Sequence, residues 1–280
     1  MPLYERAYRR YEGPRTSRHR RSVALARSEA RLLIGRRGFL LLLALSWVPA
    51  VVRAVQIYIA FQVSDVAGVL SVTDRLWQDF LAWQVVTLPV LLLSLYAGAG
   101  AIATDVSTGA LIIYLSKPIS PLDYVLGKAL PLFLALVAIT LAPALSLLAL
   151  SLSLSPDLTL LREAPLLPLA IVAYSLWISL YFTVTVLALS SLSRSGRLAG
   201  AGFAAIALGS EAFVRLGLGR ILEGRPPLFL SVMGASVDAG NVFFARPASG
   251  ETPWLSLFVM TLTMLGSSFV LSRRLRSPDA

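Results

Sequence analysis

The sequence contains no cysteine and a single histidine, His19. Disulfides and thiolate metal sites are therefore excluded. A histidine-based metal site or proton relay is not expected either, because His19 stands in a cluster of arginines. Charge is also scarce, since Asp, Glu, Lys and Arg make up 14% of the 280 residues, against about 25% in soluble domains. Hydrophobic residues make up 56%. This composition indicates a membrane protein.

Six apolar stretches are long enough to cross a bilayer as helices, which takes about 20 residues each. Their approximate bounds are 38–61, 80–103, 129–152, 166–190, 198–216 and 254–271. They do not alternate in hydropathy as the strands of a membrane β-barrel do. The predicted fold is an all-α polytopic membrane protein, with a basic leader at 1–37, a six-span domain at 38–272 and a tail at 273–280. Within 217–253, the apolar patch 228–233 predicts either a re-entrant element in the outer leaflet or an external cap.

The end of the basic leader has a helical pattern. From His19 to Arg37, apolar residues recur at spacings of three and four on one face, which consists of Val23, Ala26, Ala30, Leu33 and Ile34. Leu25 and Leu32 point away from that face. The pattern favours an amphipathic helix lying in the membrane interface. The alternative is a solvated basic leader.

The distribution of positive charge predicts the topology. The leader holds 11 Lys and Arg residues, and the loops after spans 2 and 4 and the tail hold 2, 2 and 3, whereas the other three loops hold 6 together. Because cytoplasmic loops are enriched in Lys and Arg, both termini are expected in the cytoplasm. The leader is expected to contact anionic membrane lipid. Nucleic-acid binding is not expected, because no binding motif accompanies the charge.

The stretch 104–130, between spans 2 and 3, is the densest arrangement of polar and helix-breaking residues. It predicts two helical pieces, 104–115 and 122–128, joined by a rigid turn, because Pro118 and Pro121 restrict the backbone. Ser120 is expected to cap the second piece. Leu115, Ile119 and Leu122 are candidate apolar contacts for a partner. An ordinary, well-capped cytoplasmic loop is the alternative.

The same stretch resembles the permease subunits of type-2 ATP-binding-cassette exporters. The resemblance lies in Asp105, in Gly109-Ala110-Leu111, in Leu115-Ser116-Lys117-Pro118-Ile119-Ser120 and in Gly127-Lys128. The sequence departs from the family pattern at Ala110, where threonine is common, and in having a single acid at Asp105.

The resemblance implies a coupling helix on which a separate ATP-binding cassette subunit docks. The residues implicated are Asp105, Gly109, Leu115, Ser116, Lys117, Pro118, Ile119, Ser120, Leu122, Gly127 and Lys128. It further implies six spans, location in the cytoplasmic (inner) membrane, and a second permease copy or a paralogue as partner.

The sequence carries no nucleotide site of its own. A phosphate loop reads G-x-x-x-x-G-K-[ST], but Leu122 stands at its first glycine position and Ala129 follows Lys128. No catalytic residue, metal site or cofactor is therefore predicted on this chain, and ATP and Mg are expected on the partner subunit.

Two charges fall inside predicted spans, Arg53 in span 1 and Glu211 in span 5. Charged residues within spans are candidates for a translocation path, and these two are expected either to pair with each other or to line an outer vestibule. Alternatively, Arg53 extends to the outer headgroups and Glu211 pairs with Arg215 four residues later.

Two other functions remain open. A non-transporting anchor or assembly subunit would have the same spans without a coupled ATPase. An integral-membrane enzyme would need clustered acids, histidine or a Ser/His pair near the interface, and the acids here are scattered. The substrate cannot be read from the sequence.

Overall fold

The structure, a computed structural model, describes residues 21–62, 77, 79–81, 88–115, 119–154, 161–162, 164–221, 227–244 and 253–274. The described residues are 90% helical and include no strand. Six helical segments are long and apolar enough to cross a membrane. The predicted all-α polytopic fold is therefore confirmed. The first 20 residues, most of the loop after span 1 and residues 275–280 lie outside the described part.

Twelve α-helices have bounds in the described chain: α1 Arg21–Ile34, α2 Arg37–Leu45, α3 Val48–Gln62, α4 Leu91–Leu93, α5 Ala103–Ser107, α6 Ala110–Leu115, α7 Pro121–Leu154, α8 Leu167–Leu192, α9 Gly196–Ala212, α10 Gly219–Ile221, α11 Val232–Phe243 and α12 Pro253–Arg274. Two π-helical turns, Ser94–Gly98 and Phe213–Leu218, extend α4 and α9, and a 3₁₀ turn at Leu228–Leu230 precedes α11. Spans 1 to 6 are Arg37–Ile59, Leu88–Ser107, Pro121–Leu154, Leu167–Leu192, Gly196–Ile221 and Pro253–Arg274.

Span 3 is longer than the sequence predicted. Its helix, α7, begins at Pro121 and continues through Pro131 and Pro143 to Leu154, for 34 residues. The predicted helical piece 122–128 and the span 129–152, into which it was expected to lead, are thus one continuous helix. The reason is that Pro121 occupies a first helical turn, where no backbone N–H is needed, and nothing after it stops the helix. The end of the 104–128 stretch is therefore continuous with a span.

Spans 2, 3 and 4 form the centre of the molecule. Between 50% and 56% of their most apolar windows is buried within the chain, against 17% for spans 1, 5 and 6. The main hydrophobic core contains fully buried side chains from each central span, such as Leu93, Ile139 and Phe182. Spans 1, 5 and 6 consequently present broad apolar faces outward, as in Leu41, Leu216 and Phe258.

A second, smaller core, the basal cluster, lies at the N-terminal end of α7. Its members come from α1, the end of span 2, α6, the start of span 3 and the ends of spans 4 and 6: Leu25, Ile102, Leu111, Tyr124, Leu187, Ala188 and Leu271. Helix α1 and the end of α12 therefore lie on the same side of the spans. The 104–128 stretch lies on that side too.

The packing face of α1 differs from the expected one. Leu25, which lies outside the predicted apolar face, is buried together with Ala26 of that face, whereas Val23 and Ile34 of the same face are more than half exposed. Leu25 packs on Gly127 so closely that a Cβ there would lie 2.5 Å from Leu25 Cδ2. A helix in the interface has two apolar neighbours, the membrane and the protein, so periodicity alone cannot tell which face packs on the protein.

Helix α11 is packed into the end of the domain opposite the basal cluster. Met233, Ala235 and Ala239 are buried in it, and the Tyr174 hydroxyl of span 4 donates a hydrogen bond of 2.8 Å to the Ser236 carbonyl. Tyr174 lies seven residues into α8, about 10 Å along the helix axis. Part of the 217–253 segment, α11, therefore packs against the side of span 4.

Candidate functional site

The stretch between spans 2 and 3 is divided by a glycine. Gly109 has φ 71°, the left-handed conformation that ends helices and that glycine adopts without strain. Its N–H donates to the Val106 carbonyl at 3.3 Å, so α5 ends and α6 starts in a new direction. The predicted continuous helix 104–115 is therefore two short helices.

The start of α7 is fixed by reciprocal capping. The Ser120 hydroxyl accepts from the Asp123 backbone N–H at 3.1 Å, and Asp123 Oδ2 accepts from the Ser120 N–H at 3.2 Å and from its hydroxyl at 2.7 Å. This arrangement satisfies N–H groups that a helix start leaves unpaired. The cap predicted for Ser120 is therefore present.

A buried ion network joins three elements of this region. Lys128 Nζ of α7 lies 2.7 Å from Glu29 Oε1 of α1 and 2.8 Å from Asp105 Oδ2 of α5. The Tyr124 hydroxyl donates to the same Asp105 oxygen at 2.7 Å. The Lys128 side chain is 5% exposed, and those of Glu29 and Asp105 are 19% and 15% exposed. Because charge-assisted hydrogen bonds are strong when water is largely excluded, this network ties α1, α5 and span 3 together.

The residues predicted for docking fall into an inward and an outward group. Lys128 and Gly127 are buried against α1, and Ile119 packs on the basal cluster. Leu122, by contrast, is 61% exposed. Of Leu115 the structure describes only its place at the end of α6. Ser116, Lys117 and Pro118 lie outside the described residues. Among the described docking candidates, Leu122 therefore presents an exposed apolar side chain.

Ser190 braces the point where span 2 ends. Its hydroxyl donates to the Ala99 carbonyl at 2.8 Å and accepts from the N–H groups of Ile102 and Ala103, both at 3.0 Å. These backbone groups flank the turn between the π-helical Ser94–Gly98 and α5. One fully buried side chain of span 4 therefore replaces the helical hydrogen bonds that the turn interrupts.

Residues 23–223 match the family model described as ABC-2 family transporter protein. The chain belongs to the ABC-2 transporter family. The match covers α1, five spans and the whole stretch between spans 2 and 3, and it confirms the resemblance to type-2 permeases. No curated protein matches the chain. The protein is thus the permease subunit of an ABC transporter, and its family implies an ATP-binding cassette partner in general terms.

At the opposite end of the ABC-2 permease, Glu211 connects span 5 to α11. Its carboxylate accepts hydrogen bonds from Arg215, from the Ser231 hydroxyl and, at 3.0 Å, from the Gly234 N–H. Ser231 is the N-cap of α11, so a negative charge sits where the helix dipole favours it. Glu211 therefore pairs with Arg215 and not with Arg53.

Arg53 of the permease lies on span 1, and no ion pair joins it to Glu211 in the described part of the chain. Its Nε and the Oε1 of Gln56, one turn later, are buried without a hydrogen-bond partner among the described residues. The carboxylate of Asp79 is close enough to interact with Arg53 electrostatically. The structure does not bring the two predicted path residues together.

Sequence reasoning missed two residues of this permease that organise the site, Glu29 and Ser190. Glu29 is the one acid in α1, and a lone acid in a basic helix is a usable signal for a buried partner. Ser190 had no distinguishing signal, because serine is common near the end of span 4.

Proposed function

We propose that this permease is part of an exporter, driven by a separate ATP-binding cassette subunit that docks on residues 104–128. The observation that carries the proposal is the Glu29–Lys128–Asp105 network, because it joins the docking stretch to both α1 and span 3. A loop that served only as a connection would need no buried cation. An anchoring subunit would not need such a connection to a span either.

The network and the basal cluster make this end of the protein a stiff unit. Separating a buried ion pair leaves a charge without compensation, at a cost of about 3–5 kcal/mol. Asp105 is on α5 and Lys128 is seven residues into α7. A displacement of α5 and α6 by the partner would therefore move span 3 and α1 with it. Since α7 continues for 34 residues without interruption, the displacement would reach the far side of the membrane.

The remaining parts of the transporter follow from the same proposal. ATP and Mg are bound by the cassette subunit, and a second permease copy or a paralogue covers part of the exposed apolar faces of spans 1, 5 and 6. The basal cluster faces the cytoplasm, because the stretches that join it hold most of the Lys and Arg residues. Both termini are then cytoplasmic and the protein lies in the cytoplasmic membrane, with the leader against anionic lipid.

Affinity purification from native membranes tests the docking surface. We expect the tagged chain to copurify with an ATP-binding cassette subunit, and Leu122→Asp to reduce the recovered ATPase at least fivefold, because it places a charge on the exposed apolar contact. Leu166→Asp is the matched control, since Leu166 is 68% exposed at the opposite end of the spans. Equal recovery with both variants would contradict docking at 104–128.

Single-cysteine labelling tests the orientation, and the cysteine-free chain is suited to it. In intact cells, a membrane-impermeant maleimide should label Leu166→Cys and leave Leu122→Cys unlabelled until the cells are opened. The reverse pattern would place the basal cluster outside.

We also propose that Arg53 borders the translocation path, because its Nε and the Gln56 Oε1 are buried polar atoms without partners among the described residues. Glu211 would border the same path from the α11 side. Gln56→Cys should react with the impermeant maleimide faster during ATP turnover than without ATP. An unchanged rate would remove Arg53 from the path.

A further inference from the structure

A cavity of about 230 Å³ opens beside the ion network, between α1, the end of span 2 and the start of span 3. Its polar lining includes Glu29, Arg36, Asp105 and Lys128. Its apolar lining includes Leu33 and Leu132. The cavity lies beside an interfacial helix, at the level where the charged residues of this side begin. Both charged and apolar walls are expected at the depth where lipid headgroups join their chains.

The charges around the cavity are not balanced within the network. Two carboxylates share one ammonium group, so the network has a net charge of −1. Glu29 Oε2 and Asp105 Oδ1 accept no hydrogen bond from the described residues, since Lys128 and Tyr124 use the other oxygens. A ligand with an ammonium group would compensate this charge. The Tyr114 ring, 5.8 Å from Lys128 Nζ, lines the same cavity and adds a cation–π surface.

Arg36 supplies a positive charge in the same lining. It lies in the turn between α1 and α2, is exposed, and forms no ion pair with any described residue. A guanidinium group is well matched to a phosphate, which it can bind through two parallel hydrogen bonds. The cavity therefore offers a site for an anion and a site for a cation.

The volume of the cavity limits the size of the ligand. Pockets for drug-sized ligands measure about 300–1,000 Å³, so a cavity of 230 Å³ is small for such a ligand. It has room for a lipid headgroup of the size of phosphoethanolamine. A simple cation would fill a small part of this space and would leave Arg36 unused.

We propose that this cavity binds the headgroup of an aminophospholipid, phosphatidylethanolamine, from the adjacent leaflet. The ammonium group binds the free oxygens of Glu29 and Asp105, and the phosphate binds Arg36. The acyl chains leave along the apolar side of the cavity, toward the membrane. The bound lipid fills the space between α1 and the spans and completes the charge balance of the network.

Native mass spectrometry of the delipidated full-length chain tests the proposal without ATP or a cassette subunit. Phosphatidylethanolamine, phosphatidylcholine and phosphatidylglycerol with identical acyl chains are added at equal concentration. We expect phosphatidylethanolamine to bind roughly tenfold more tightly than either, the effect of about one charge-assisted hydrogen bond. Phosphatidylcholine cannot donate hydrogen bonds from its headgroup nitrogen, and phosphatidylglycerol lacks the cation. Equal affinity for the three lipids would overturn the proposal.

Two variants separate the parts of the site. Arg36→Gln should lower phosphatidylethanolamine affinity roughly tenfold, whereas Arg37→Gln, the neighbouring exposed arginine outside the cavity lining, should not change it. Glu29→Gln removes the net negative charge and should abolish the preference over phosphatidylglycerol. The same affinity in Arg36→Gln and Arg37→Gln would refute the assigned phosphate site. Binding of soluble phosphoethanolamine as tight as that of the lipid would refute the lipid as occupant.

Discussion

Replacement of Lys128 by methionine is the most direct test of the ion network. Methionine keeps an unbranched side chain of similar length, so packing changes little, but Glu29 and Asp105 are left facing each other without a cation. Removing one partner of a buried ion pair costs about 3–5 kcal/mol. Because the two carboxylates are 19% and 15% exposed, water relieves part of the repulsion, and we expect a value near the lower limit.

Thermal unfolding in one detergent measures the effect. A loss of about 3 kcal/mol should lower the apparent Tm by roughly 6–12 °C. Glu29→Gln should lower the apparent Tm far less, because the charges of Lys128 and Asp105 still compensate each other and the glutamine amide oxygen can still accept a hydrogen bond from Lys128. Adding Glu29→Gln and Asp105→Asn to Lys128→Met removes the unpaired charges and should recover most of the lost stability. No recovery in the triple variant would show that charge compensation is not the reason for the loss.

Two further substitutions test the packing around the site. Gly127→Ala should destabilise the protein by about 1–3 kcal/mol, because the new Cβ would lie 2.5 Å from Leu25 Cδ2. Gly209→Ala is the control, since no atom lies within 4 Å of its Cβ position. It should be neutral or stabilising in the same unfolding assay. Ser190→Ala should lower the free energy of unfolding by about 1–3 kcal/mol and raise the hydrogen-exchange rate of the backbone amides of residues 102–103. Ser191→Ala should leave that rate unchanged, because the Ser191 hydroxyl bonds to the Ala188 carbonyl of its own helix. Equal effects within either pair would contradict the assigned contacts.

The features that local sequence determines were predictable. Span number follows from hydropathy over about 20 residues, and the Ser120 cap follows from a serine just before a helix start. The break in the helical pattern before span 3 followed in the same way, because Pro121 acts on its own backbone. The division of 104–115 at Gly109 was in principle predictable too, since a glycine within a helical pattern is a usual stop signal.

The contacts that build the site were not predictable, because they join residues far apart in the chain. Glu29 and Lys128 are 99 positions apart, and Ser190 and Ile102 are 88 apart. Single-sequence periodicity reports which face of a helix is apolar and carries no information on which neighbour that face meets. For α1, periodicity therefore could not tell lipid from protein as the neighbour. Leu25 lies outside the predicted apolar face and is nevertheless the residue that packs on the protein.

The combination of apolar and ionic contacts between α1 and α7 suits a unit that has to move without changing its internal geometry. Leu25 against Gly127 brings the two helices close, but an apolar contact alone tolerates sliding of one helix along the other. The Glu29–Lys128–Asp105 network allows one register, because any shift by a helical turn of about 5.4 Å would leave a buried charge unpaired. Lys128 is the only buried cation among the described residues, and it lies where the stretch 104–128, α1 and a span meet. That position gives the cation a physical reason to be retained in a membrane domain that otherwise has little charge.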